Sequence, residues 1–532
     1  MAAGPDPVTP NQPAGPPVPG APTRGAGQGG NGQGGGGQGG GGQGGGGGNG
    51  QGGGGQGNGA NQGTGVLGPR AARLNTGIFE TLTRLTPTFG VAPALAVHWE
   101  ATTPSKWRFT LRPGVTFHNG APLDAPAVVA VLQASARRQD PIRGLDETSA
   151  KAVSAHVVEI DLSAPNLRLP EQLANPTLGI LAPGTTAGRG EDAARTPTGT
   201  GPFKFASYTP GQSLKVVANA SYWGGAPRLR SITFRFGTDE EAKKLLAAGE
   251  VDAVQSSPQA PAAASSRVVA SRPAQAVYLL LNATGVDEWS LLADENLRKA
   301  VALAVDRDGF TKAAWAGHGE VNRTLVPPSI LGASFGGVAS PGQDLAASRN
   351  LLDAGGWALG PDGIRARGGT RLVLSLLLSN AADEQAAAKA VQQELGRVGI
   401  GVEVQEPGQG LPLQLVNQGR FHLYLDSRLQ DDANPCSFCR FFVTRPGGLL
   451  SVSSAVAAGP VADNLFDRAF TEPLATDAGK SAADLLHVVT AERFTAVPLS
   501  LVGTAWTIAP KLRGFVASPV PGAQSWQGTW LG

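Results

Sequence analysis

The stretch "YLDSRLQDDANPCSFCRFF" (424–442) holds the only two cysteines of the chain, Cys436 and Cys439, close behind Asp431 and Asp432. A C-x-x-C pair can hold a metal, cycle as a redox dithiol, or pin a loop as a local disulfide or two packed thiols. A metal would want about two further ligands. The nearest histidine, His422, comes before the loop on a strand-like stretch, and there is no second C-x-x-C. A redox pair would open a helix after a strand within a small βαβ domain, whereas this pair follows a loop in a far larger chain. The spacing favours scaffold, with Cys436 and Cys439 as a disulfide candidate and no metal site. The six histidines (His98, His118, His156, His318, His422 and His487) are scattered, and His118 in "FHNG" reads as a hydrogen-bonded structural residue beside a turn. No G-x-S-x-G, H-E-x-x-H or Walker-type loop is present. Asp239, Glu240 and Glu241 fall on an exposed helical pattern. No catalytic constellation emerges, so the chain reads as a non-enzyme without a cofactor. Asp431 and Asp432 stand apart, because they follow an apolar strand pattern in a loop with Arg428 as its near base.

Any such loop must be carried by larger elements. At 532 residues the chain is too long for one core and suggests two or three domains. The formal charge of +2 gives no reason to expect nucleic acid or an anionic membrane as partner. The first 65 or so residues are Pro-rich and then almost pure Gly with Gln and Asn, too poor in apolar surface to offset chain entropy. They read as a disordered tether. No signal peptide is visible at the start and no apolar run is long enough to span a bilayer.

Downstream, "NTGIFETLTRL" (75–85) places Ile78, Leu82 and Leu85 at helical spacing. "KWRFTLRPGVTFHNGAPL" (106–123) reads as two short strands with a turn at Asn119-Gly120. "DAPAVVAVLQASARR" (124–138) reads as a helix with an acid and a proline in its first turn. Short alternating strands follow at 198–219, then strand–helix–strand at 229–255. A strand is expected at 276–282 and one long helix over 296–315. "RLVLSLLL" (371–378), a helix through Val391 and Leu395, and "IGVEV" (400–404) imply a parallel pair with a right-handed crossover. "FHLYL" (421–425) then delivers the chain into the aspartate–cysteine loop. The pattern is α/β in at least two lobes, with strands feeding loops that meet between them, where ligands bind.

The order of several segments resembles the family 5 solute-binding proteins of ABC transporters. They are "IFETLTRLTPTFGVAPALAVHWE" (78–100), "WRFTLRPGVTFHNGAPLDAPAVV" (107–129), "GTGPFKF" (199–205), "VVANASYWGGAPRLRSITFRF" (216–236), "AAGEVDAV" (247–254), "LRKAVALAVDRDGF" (297–310), "VPPS" (326–329), "ASRNLLDAGGW" (347–357) and "AVPLSL" (496–501). The resemblance implies a two-lobed periplasmic-binding-protein (Venus-flytrap) fold with an extra subdomain in lobe one. Lobe one would take 66–276 with the subdomain at about 115–195, lobe two 277–500, and 501–532 would return to lobe one. It also implies an extracytoplasmic, monomeric receptor that closes over a peptide or similar ammonium-bearing solute and docks on a membrane permease.

In peptide-binding relatives, the segment like "RLQDDANPCSF" carries an aspartate that meets the ligand's ammonium group. Counted from Asn434-Pro435, it falls on Asp431, with Arg428, Leu429 and Asp432 beside it; a disulfide between Cys436 and Cys439 would stiffen this loop. Arg137, Arg138 or Arg143, at the end of the 124–138 helix pattern, could hold an anion. Nickel-complex binders carry aromatics where this chain has Leu429 and Ala433, and "SNAADE" (379–384) offers no arginine for a peptide carboxylate. Relatives also open with a strand that lines the cleft, so a cleft wall is expected to be missing here. The alternatives are a nickel-complex binder, or a degenerate homologue acting as a sensor or interaction protein.

Overall fold

A computed structural model of the protein describes residues 77–137, 142–183, 197–256, 266–285, 287–315, 319–331, 340–379, 381–405, 412–430, 433–439, 442–443, 455–472, 478–520 and 523–532. The Gly-rich tether expected at 1–65 lies outside them.

In the first lobe, residues 77–82 are not the helix that the spacing predicts; they form no regular element and lead into a short strand at Thr83–Leu85. Helical spacing of Ile78, Leu82 and Leu85 lost to backbone partners far along the chain. Ile78 O accepts from Gly201 N at 2.9 Å, Glu80 O from Ile180 N at 2.8 Å, and Leu82 O from Ala96 N at 2.8 Å. A segment without helical bonds of its own can give these groups to distant partners, whereas a helix would turn them inward on itself.

Beyond it, strands Ala96–Thr103, Lys106–Leu111, Val157–Asp161 and Ala150–Ser154 form an antiparallel sheet in that spatial order. Trp107, Phe109 and Leu111 alternate inward, as the sequence pattern requires. The helix Ala125–Arg137 packs on the same core through Val128 and Leu132. Its start is capped by Asp124, whose Oδ1 accepts from Ala127 N at 3.0 Å. The residues after Leu111 form a turn closed by an isolated bridge, Thr116 to Pro122, and not a second full strand. A second antiparallel sheet is built from Phe203–Thr209, Ser213–Ala218 and Ser231–Arg235. Its inner face meets Trp506 and Trp526 from the end of the chain. A third sheet places Ala505–Ile508 between Ala253–Ser256 and Arg267–Ala270.

The second lobe is organised by one six-stranded sheet, in the order Gly319–Val321, Ala496–Val502, Gln275–Leu281, Leu423–Leu429, Val373–Leu378, Gly401–Gln405. The last three run parallel, with the helix Ala381–Gly396 as the crossover that the sequence pattern implied. Gln275–Leu281 is antiparallel to both neighbours. Both faces of the sheet are buried, so its central strands read as near-continuous apolar runs. Leu279, Leu376 and Leu425 face helices Glu295–Ala304, Arg307–Trp315 and Ala381–Gly396. Tyr278, Leu377 and Tyr424 face Phe466, Phe470 and Leu485 of the helices Ala455–Thr471 and Ala478–His487. The expected helix over 296–315 is two helices. Val305 takes an extended conformation, and Asp306 Oδ1 accepts from Gly309 N at 3.0 Å to start the second.

Candidate functional site

Two short segments, 271–274 and 503–504, carry the chain between the lobes and run side by side. Ser271 N donates to Thr504 O at 2.9 Å, Thr504 N to Ser271 Oγ at 2.9 Å, and Ala274 N to Val502 O at 3.2 Å. Gly503 is needed at this crossing, since a Cβ there would lie 2.8 Å from Ser271 O. Beside the crossing, Leu429 at the end of the central strand packs with Phe89, Ala274 and Val520. Phe89 takes a left-handed conformation, φ 63°, which costs a side chain of that size about 1 kcal/mol or more unless its surroundings hold it. Here it is buried in this junction, with its N–H bonded to Thr86 O at 3.0 Å.

The next residue, Gln430, is anchored twice. Its N–H donates to Ala274 O at 2.8 Å and its side-chain Nε2 to Asn434 O at 2.8 Å. Ala433 and Asn434 are buried as well. Gln430 and Asn434 are therefore tied to each other next to the lobe crossing. Asp431 and Asp432 lie outside the described residues, between these two anchors in the chain.

A buried polar group stands on the strand just before the loop. The carboxylate of Asp426, 4% exposed, accepts from Tyr278 Oη at 2.8 Å and from Arg428 Nε at 2.9 Å. Arg428 Nε also reaches Tyr278 Oη at 3.2 Å. Burial, and then the neighbouring Asp426 charge, pushes both Tyr278 and Tyr424 well above the usual phenol range. Burial works against the charge on Arg428, but Tyr278 and Asp426 outweigh it and keep the guanidinium ionised. At the neighbouring strand end, Glu384 accepts from Ser379 N at 2.9 Å and Ser379 Oγ at 2.6 Å. His422 is held neutral by burial. Its Nδ1 accepts from Ser375 N at 3.1 Å, so Nε2 carries the proton and donates to Glu288 O at 2.9 Å. It is a structural histidine.

The remaining sequence candidates are dispersed. Arg137 is exposed and paired with Glu147 at 3.0 Å; Arg138 lies outside the described residues. Arg143 meets Asp467 of the second lobe at 2.7 Å and not the 430–434 loop. Cys436–Cys439 forms one helical turn, which the spacing had not suggested. Cys439 is buried in the core with Phe442 and Val443, while the side chain of Cys436 lies outside the described residues. Among the described residues, no three His, Cys, Asp or Glu side chains converge as metal ligands.

Sequence reasoning also passed over a polar knot in the first lobe. Glu80 accepts from Tyr222 Oη at 2.7 Å, Thr200 Oγ1 at 2.8 Å and Trp223 Nε1 at 3.0 Å, while Arg112 stacks 4.0 Å over the Trp223 ring. Burial raises the Glu80 carboxyl, and the three donors partly offset that. The signal was present in "FETL" and "SYWGG", but only as family resemblance with no role for the side chains.

Comparison with known proteins accords with this architecture. The family model for "Bacterial extracellular solute-binding proteins, family 5 Middle" matches residues 90–448, more than half of the chain. The glutathione-binding protein GsiB of Salmonella paratyphi A is 30% identical over 306 residues, covering 55% of this chain and 56% of that protein. The chain thus spans about half the length of the curated glutathione-binding relatives it matches. The nickel-binding periplasmic protein of Escherichia coli K12 is 26% identical over 467 residues, 83% of this chain and 87% of that protein. The crystal structure of NikA from Brucella suis in complex with Fe(III)-EDTA superposes with a TM-score of 0.74 at 23% identity, covering 86% of this chain and 94% of that one. This likeness shows the two-lobed α/β fold. With the profile match, it places the chain among the bacterial extracellular solute-binding proteins of family 5, which are binders and not enzymes.

Proposed function

We propose that this chain is the solute-binding component of an ABC importer, extracytoplasmic and monomeric, which captures a peptide or similar ammonium-bearing solute between its lobes for a membrane permease. Lobe one comprises 66–274, with the extra subdomain at about 115–195, and the returning 503–532; lobe two comprises 275–502, each bound within two residues of the one expected from the sequence. The observation that carries the reading is the tie between Gln430 and Asn434 beside the lobe crossing, at the end of the central strand, with two aspartates between them in the sequence. Asp431 meets the ligand's ammonium group in a charge-assisted hydrogen bond, stronger than a neutral one. Arg428, engaged by Asp426 and Tyr278, supports that loop from the strand side, and Leu429 packs the junction beneath it. Glutathione, named for the GsiB relatives, is a solute of this class.

Calorimetric titration with a tripeptide mixture, and with the same mixture N-acetylated, tests the reading. The free amines are expected to bind, with acetylation and Asp431→Ala each weakening binding by roughly 30-fold or more, the cost of truncating a buried charge pair. Equal binding of acetylated peptides, or no binding of either, overturns it. A nickel complex is the second reading, favoured by the long match to the E. coli nickel-binding protein. Uptake of nickel–histidine that is indifferent to Asp431→Ala would select it.

A further inference from the structure

The lobes meet a second time, far along the chain from the crossing segments. On the first-lobe side are Arg143, Leu167 and Arg168, in the segment after the helix Ala125–Arg137. Leu167 packs on the core of the four-stranded sheet. On the second-lobe side is the end of the helix Ala455–Thr471, whose Phe466, Ala469 and Phe470 belong to the core under the six-stranded sheet.

The contact is polar and specific. Arg143 Nη2 donates to Asp467 Oδ1 at 2.7 Å, with its guanidinium 5.1 Å from the Phe470 ring centroid and 5.7 Å from that of Phe466. Leu167 N donates to Phe470 O at 2.8 Å. Arg168, only 2% exposed, directs Nε to Ala469 O at 3.3 Å and Nη2 to Glu472 O at 3.4 Å. A guanidinium is therefore set against the last carbonyls of a helix, where the helix dipole favours positive charge. Arg168 also lies 3.7 Å from Glu171, itself buried on the first lobe.

Every one of these bonds joins the 143–168 region of the first lobe to the end of the Ala455–Thr471 helix of the second, away from the two-segment crossing. Opening the lobes would break them together and return Arg143, Arg168 and the carbonyls of Ala469, Phe470 and Glu472 to water. We propose that this contact is an interlobe latch, in which Arg143 and Arg168 of the first lobe grip the end of the Ala455–Thr471 helix and set how readily the two lobes part. The latch acts on the lobe equilibrium itself and is independent of which solute the cleft takes.

The test is a distance measurement on the full chain. Spin labels are attached to unnatural keto amino acids at two exposed positions, Val153 on the first lobe and Val461 on the second, and the distance distribution is read by pulsed electron resonance. Arg143→Ala and Asp467→Ala are each expected to raise the population at longer separation by roughly tenfold, the worth of a charged hydrogen bond. The exchanged pair Arg143→Asp with Asp467→Arg is expected to recover much of the original distribution. Arg371→Ala, which breaks an exposed ion pair within the second lobe, should leave it unchanged. An unchanged distribution in both alanine variants overturns the latch. So does an equal shift in Arg371→Ala, since the change would then be unspecific. Asp467 sits on the helix surface, so its variant keeps the test open if Arg143→Ala does not fold.

Discussion

Asp426 shows how a single residue ties strand to loop. Its carboxylate is shared by Tyr278 and Arg428 on the strand that feeds the candidate site. Asp426→Ala removes the anion both groups face and is expected to cost about 3 kcal/mol of stability, against about 1 kcal/mol for Tyr278→Phe. Urea unfolding measures the two; equal costs would mean that the ion pair contributes nothing beyond its hydroxyl partner. His118 gives a pH signature. Its Nδ1 accepts from Gly199 N at 3.4 Å, so Nε2–H donates to Gly201 O at 3.0 Å, and only the neutral ring can do both. Burial, the largest cause, lowers its pKa from 6.5 to about 4. Between those values the unfolded state binds more protons, so stability is complete well above pH 6.5 and falls as the pH drops toward 4, by about 3 kcal/mol in all. The raised carboxyl of Glu80 contributes with the opposite sign, so the measurement is the difference between wild type and His118→Gln, in which that slope should vanish. The structural character of His118 was legible, because a histidine beside a turn finds backbone partners; that of His422 was not, since its partners Ser375 and Glu288 are far along the chain. The pairing of Arg428 with Asp426 was not, because two residues apart on a strand they lie on one face, but nothing in the spacing shows that Tyr278 joins them from the neighbouring strand.

At the level of elements, periodicity worked wherever the chain packs one face locally. The helix Ala125–Arg137, the strand Lys106–Leu111 and the parallel strands around the helix Ala381–Gly396 follow from their apolar spacing. It failed at 77–85, where the same spacing of Ile78, Leu82 and Leu85 serves a non-helical segment that buries Ile78 in one core and Leu82 in another. The deciding partners, Gly199 to Phe203 and Ile180, are a hundred residues away, beyond any local pattern. Two glycines make that approach feasible. A Cβ on Gly199 would lie 2.1 Å from Ile78 O, and one on Gly201 2.2 Å from Gly77 O. Backbone atoms cannot yield as side chains do, so Gly199→Ala or Gly201→Ala is expected to destabilise the protein by about 3 kcal/mol. Gly396→Ala has nothing within 4 Å of its Cβ and serves as the control. A melting temperature for Gly201→Ala equal to that of Gly396→Ala would refute the threading of 77–82.

For the whole molecule, the two-lobed plan was legible because the family motifs follow one another in order, and the family profile bears that out. The contacts between lobes were not legible. Arg143 is one of three arginines that the resemblance offers for an anion, and in the structure it pairs with Asp467; nothing in the spacing of "NLRLPEQL" marks Arg168 for a helix three hundred residues on. Such contacts depend on how two rigid bodies come together, which neither periodicity nor motif order encodes. The central claim, that the cleft takes an ammonium-bearing solute at Asp431, is tested most directly by native mass spectrometry of the protein purified from its own host, before and after denaturation. The expected result is a released peptide or small amine, with the bound species absent from Asp431→Ala. An empty protein that also gains no mass from a tripeptide mixture would contradict it.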